Sequence, residues 1–157
     1  MDYTSAIAEL LSRHGFRRFM MSRTGVGHLL LAGRLDGRPI DIVLDTGAGK
    51  TFVELNYCRS EGIAVCDTGD PGAPAAGAGP GTASNVHTLG DVRLTLEGLL
   101  VRTDGIFAID MTHTNQKLMM KGVNPIRAVI GQDVLRYHRA VIDYATLALF
   151  LKEDPAP

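Results

Sequence analysis

Asp45-Thr46-Gly47-Ala48 closes the apolar run Ile40-Asp41-Ile42-Val43-Leu44 and is the stretch of this chain with the most chemistry to offer. A β-branched run that ends in Asp-Thr-Gly delivers a carboxylate at a strand end, on a turn that Gly47 can bend where a Cβ would clash. Cleaving an amide without a metal or a strong nucleophile needs an activated water and a proton for the leaving nitrogen. Two carboxylates that share one proton supply both. The ionised one takes a proton from water, and the protonated one hydrogen-bonds the carbonyl oxygen. Thr46 brings a hydroxyl that can hold a neighbouring copy of the loop, and Gly47 a backbone N–H free to bond the carboxylate. By itself the tripeptide also fits an ordinary turn, so its surroundings decide.

The elements that must position it are mostly strands. Residues 4–14 read as a short amphipathic helix with Ile7, Leu10 and Leu11 on one face and Gly15 placed to end it. Strand-type sequence follows at 16–21 and 28–35. Asp36-Gly37 is a strong hairpin signal, and 38–45 is its return strand. Residues 51–63 fit either a strand or a short helix. Residues 68–84 are rich in Gly and Pro, with too little apolar area to pack, and read as a loop or hairpin tip. Strands are expected across 87–100, 100–109 and 139–151, a helix or long connection over 111–122, and a short helix over 132–137. Many short strands with Gly-rich turns predict a mainly β domain, closed or sandwich-like.

Composition narrows the classes of function. A chain of 157 residues is one domain able to bury its own core, and its formal net charge of -1 argues against a nucleic-acid or anionic-membrane surface. No apolar stretch nears the ~18 residues of a membrane span, and the N-terminus lacks a basic-then-apolar leader, so a cytoplasmic protein is expected. Cys58 and Cys66 are expected as free thiols. His28, His87, His113 and His138 are scattered with no two at zinc-like spacing; neither a metal nor another cofactor is expected.

A second apolar run broken by glycine, Ala128-Val129-Ile130-Gly131-Gln132-Asp133-Val134-Leu135, comes about 80 residues after the first. In this order the two resemble the signature segments of retropepsin-like aspartic proteases, and the resemblance spans residues 25–152. Thr24 to Leu29 and Gly33 to Pro39 look like the hairpin leading into the catalytic loop. Gly77-Ala78-Gly79 looks like the glycine-rich flap that closes over a bound peptide. Ile130 and Gly131 look like the strand that passes beside the catalytic loop, and 140–144 with 147–151 like the closing strand pair. The resemblance implies a retropepsin-like domain over 25–153, a closed β-barrel or sandwich with a flap hairpin and one short helix near its C-terminal end. Residues 1–24 would then be an N-terminal helical extension. It also implies an aspartic endopeptidase acting on polypeptides, with Asp45 catalytic and Thr46, Gly47 and Ala48 supporting the loop. A single Asp-Thr-Gly of this kind is half of a two-carboxylate site, which predicts a homodimer. The alternative is the same fold kept as a non-catalytic peptide-binding or scaffolding module.

Two decoys lie nearby. Gly47-Ala48-Gly49-Lys50-Thr51 mimics the end of a phosphate-binding loop, but the full pattern wants Gly six residues before Lys50 and has Leu44 there. Asp67-Thr68-Gly69 repeats the tripeptide only 22 positions after Asp45, too soon for a second strand-rich lobe, and reads as a loop. Asp133 and Asp143 read as structural, the first near the short helix and the second at a strand end. His113 reads as a surface helix residue.

Overall fold

In the computed structural model, which describes residues 3–66 and 86–153, helix α1 (Tyr3–Arg13) ends at Gly15, whose φ of +76° suits glycine. Strands β1 (Phe16–Met20) and β2 (Ser22–Arg23) lead to the hairpin of β3 (Leu29–Leu35) and β4 (Arg38–Leu44). Asp36 and Gly37 both take positive φ (48° and 79°), the geometry of a two-residue turn whose twist matches its strands.

The ambiguous stretch 51–63 is both things in turn: strand β5 (Phe52–Glu54), then helix α2 (Leu55–Ser60). Glu54 makes the switch, because its carboxylate accepts the N–H of Tyr57 at 2.7 Å and caps the helix. Strands β6 (Val65–Cys66), β7 (Val86–Leu89), β8 (Leu94–Leu96), β9 (Leu99–Leu100) and β10 (Phe107–Ile109) follow. They are shorter than their alternation suggests. Residues 101–106 are irregular, with Gly105 at φ +118° breaking the run before β10. Helix α3 (Thr112–Met120), strand β11 (Ala128–Ile130), helix α4 (Gln132–Tyr137) and strands β12 (Val141–Asp143) and β13 (Ala148–Lys152) complete the chain. The proposed loop 68–84, with Gly77, Ala78 and Gly79, lies outside the described residues, as does Asp67.

The fold is mainly β. The larger sheet pairs in the order β6-β7-β10-β5-β11-β4-β3-β8-β9, with β2 beside β3, and a smaller one in the order β1-β13-β12. The inner faces of both share one core: Leu31, Leu35, Ile42, Leu94, Leu96 and Ile130 from the first, Phe19, Leu149 and Leu151 from the second. Central strands β11 and β13 have neighbours on both edges and are apolar almost throughout, while β3 alternates buried and open positions. β1 zips antiparallel along all of β13, from Phe16 opposite Lys152 to Met20 opposite Ala148, so residues before 25 contribute a strand to this sheet.

Buried His138 ties the C-terminal strand down. Its Nδ1–H donates to the Lys152 carbonyl at 2.8 Å and its Nε2 accepts the Arg102 N–H at 3.0 Å, which requires the neutral ring with its proton on Nδ1. Cys58 is buried and Cys66 exposed; burial, followed by the nearby Glu54 charge, pushes the Cys58 thiol up to about 11. Among the described residues no helix is long and apolar enough to cross a membrane.

Candidate active site around Asp45

Three strands build the site. β11 runs parallel to β4 on one side (Ile130 opposite Leu44) and antiparallel to β5 on the other (Val129 opposite Phe52). The segment 45–51, which joins β4 to β5, must therefore straddle the end of β11. Where β11 emerges, Gly131 passes through the mouth of that loop. A Cβ on Gly131 would lie 2.6 Å from the Lys50 carbonyl oxygen and 2.7 Å from that of Ala48. The glycine is there for space.

Backbone bonds lace the loop to β11 and α4. The Asp45 N–H donates to the Ile130 carbonyl at 3.1 Å, and the Gln132 N–H to the Ala48 carbonyl at 2.8 Å. Asp45 itself stands exposed at the strand end, and its Oδ1 accepts the Gly47 N–H at 2.8 Å. Thr46 and Gly47 are exposed beside it. The buried Ala48 methyl belongs to a small apolar cluster with Val43 and Val129, with Leu30, Phe52 and Ile126 packed around them. Ile130 and Gly131 are buried directly next to the loop. Five of the residues singled out from sequence, Asp45, Thr46, Gly47, Ala48 and Gly131, thus meet in one loop crossing, with Ile130 leading into it.

Sequence reasoning missed three side chains that hold this crossing together. The fully buried Thr51 hydroxyl donates to Asp133 Oδ1 at 2.7 Å and accepts the Gly131 N–H at 3.1 Å. Asp133 thus serves a structural end through the loop, and among the described residues its other oxygen, Oδ2, is buried without a hydrogen-bond partner. The side chain of Gln132 donates from Nε2 to the Thr46 carbonyl at 2.8 Å. Asn115 on α3 clamps the approach to β11, accepting the Ile126 N–H at 2.7 Å and donating to the Ile126 carbonyl at 3.0 Å. The only local hint was a polar residue, Thr51, in front of an apolar strand.

At the rim, Lys50 Nζ lies 2.6 Å from Asp104 Oδ2, and the Lys50 hydrogen bond and charge hold the Asp104 carboxyl below its ordinary range. His113 sits exposed on α3 and Asp143 at the end of β12, where its carboxylate accepts the Ala145 N–H at 2.8 Å.

Thr51 offers a clean test of the crossing. Thr51→Val keeps the shape but strips a partner from both the buried Gly131 N–H and Asp133, and should cost about 2–4 kcal/mol, the sum of two unsatisfied buried groups. Thr51→Ser keeps the hydroxyl and should lose only about 1 kcal/mol for its methyl. Urea unfolding midpoints compare the two. Equal losses would mean that the hydroxyl carries none of the stability.

No family model matches this chain, and no curated protein does. Solved structures do. A crystal structure of a retropepsin-like aspartic protease from Rickettsia conorii superposes with a TM-score of 0.52 at 15% identity, over 87% of this chain and 91% of that one. The retroviral protease-like domain of Ddi1 from Leishmania major matches at a TM-score of 0.46 and 14% identity, over 82% of this chain and 98% of that one. At these identities the likeness speaks for architecture, and the first match carries it: the fold of this chain is retropepsin-like.

Proposed function

We propose that this protein is an aspartic endopeptidase in which the Asp45 carboxylates of two chains form one water-activating dyad. The observation that carries this reading is the exposed Asp45 at the mouth of a loop laced to β11, with its Oδ1 already bonded by the Gly47 N–H. Catalytic carboxylates need such fixed donors around them, because a loose loop would lose the geometry of proton transfer. The half-buried Leu30, Phe52 and Ile126 around the Ala48 cluster suit an apolar side chain of an extended polypeptide. Each chain contributes one such loop, and a closed two-fold dimer places both copies on the axis. Residues 77–79 would serve as the flap over bound peptide. The chemistry needs water and no cofactor.

Hydrolysis of casein across a dilution series, with solution mass followed in parallel, tests the shared dyad. Cleavage should be blocked by pepstatin, and specific activity should fall as dimers separate. Constant specific activity down to a clearly monomeric regime would exclude a dyad made by two chains. A folded dimer that cleaves nothing would point instead to a peptide-binding module.

A further inference from the structure

The peptide unit between Thr46 and Gly47 is gripped at both ends. Its N–H, belonging to Gly47, donates to Asp45 Oδ1 at 2.8 Å, and its carbonyl, belonging to Thr46, accepts from Gln132 Nε2 at 2.8 Å. A trans peptide is planar, with its C=O and N–H pointing in opposite directions, so whatever fixes the carbonyl also aims the N–H. The side-chain amide must present its nitrogen here, because its oxygen would face another acceptor. Gln132 is itself held by its own N–H, which donates to the Ala48 carbonyl at 2.8 Å, and by its place as the first residue of α4. Without this side chain the plane would be free to tilt on an exposed turn, taking the Gly47 N–H off the carboxylate. Donation into the carbonyl also polarises the amide and strengthens its N–H as a donor.

We infer that Gln132 is a positioning residue for the Asp45 carboxylate, acting through the Thr46–Gly47 peptide rather than by touching substrate. Its catalytic consequence rests on the protease reading; its effect on the Gly47 N–H rests on this geometry alone. The role predicts an order of variants that packing would not. Gln132→Glu is nearest in shape but replaces the donor with an acceptor facing the Thr46 carbonyl. Gln132→Met keeps the length and has no donor. Gln132→Lys restores a donor.

The experiment follows the Gly47 amide proton by NMR in the full chain and, in parallel, kcat and KM on casein. Gln132→Glu and Gln132→Met should move the Gly47 amide proton upfield, with the glutamate the stronger. Both should lower kcat about two- to tenfold at little change in KM, the scale of one hydrogen bond. Gln132→Lys should recover most of both signals. An unmoved Gly47 resonance in both donor-less variants would overturn the inference, as would losses ordered by shape, with Gln132→Glu the mildest. If the native chain cleaves nothing while the Gly47 signal responds as described, the positioning role stands and the protease reading falls. If it cleaves while Gly47 does not respond, the reverse holds.

Discussion

Replacing Asp45 with Asn should lower casein hydrolysis by about 10³-fold or more, the loss expected when a general acid–base group in a two-carboxylate site can no longer ionise. The change is isosteric, and the Asn side-chain oxygen can still accept the Gly47 N–H that Asp45 Oδ1 accepts at 2.8 Å. Loop shape, solution mass and unfolding midpoint should therefore stay close to those of the native chain. Asp67→Asn is the matched comparison, since the same tripeptide there follows only the two-residue β6 and comes 22 positions after Asp45, too soon for a second strand-rich lobe, and it should keep most of the activity. A dead Asp67→Asn beside an active Asp45→Asn would move the active site elsewhere.

Gly131→Ala should be among the most damaging single-methyl changes available. Its backbone (φ −107°, ψ −168°) is one that alanine adopts freely, so the objection is purely one of space. The added Cβ would meet the Lys50 and Ala48 carbonyl oxygens at 2.6 and 2.7 Å, and neither is a side chain that can swing away. Relief requires the loop to lift off β11, weakening both the Gln132 N–H bond to Ala48 and the Gly131 N–H bond to Thr51. A cost of about 3 kcal/mol is expected, which in a domain of this size lowers Tm by roughly 6–12 °C. Hydrolysis should fall with it, because the same loop carries Asp45. Gly49→Ala, two residues before Thr51 and with nothing within 4 Å of its Cβ position, should change Tm by little. Equal melting of the two variants would show that the crossing has room to spare.

Much of the fold was legible because its signals are local. Asp36-Gly37 specifies its own turn, Gly15 its own helix end, and 132–137 its own short helix. Each depends on a few adjacent residues and on the φ that they tolerate. The stretch 51–63 was not legible for the same reason. Its apolar pattern serves a strand as well as a helix, and the cap at Glu54 that separates them depends on the carboxylate turning back to Tyr57. The strands at 87–109 were overdrawn because alternation alone does not register a chain that leaves the sheet after Leu100 and rejoins it only at Phe107.

The sequence by itself determined that a carboxylate would stand at a strand end on a glycine turn, and that a second apolar run ending in glycine would accompany it. These follow from residue types at neighbouring positions. Only the tertiary structure decided how the two segments meet. β11 slots between β4 and β5, Thr51 reaches Asp133 across 82 positions, and Gln132 reaches Thr46 across 86. The need for glycine at 131 arises from two carbonyls brought to it by the loop crossing, not from its own φ. Such contacts are set by sheet order and register, which depend on burying a shared core, and no local pattern of residues encodes which strand will lie beside which.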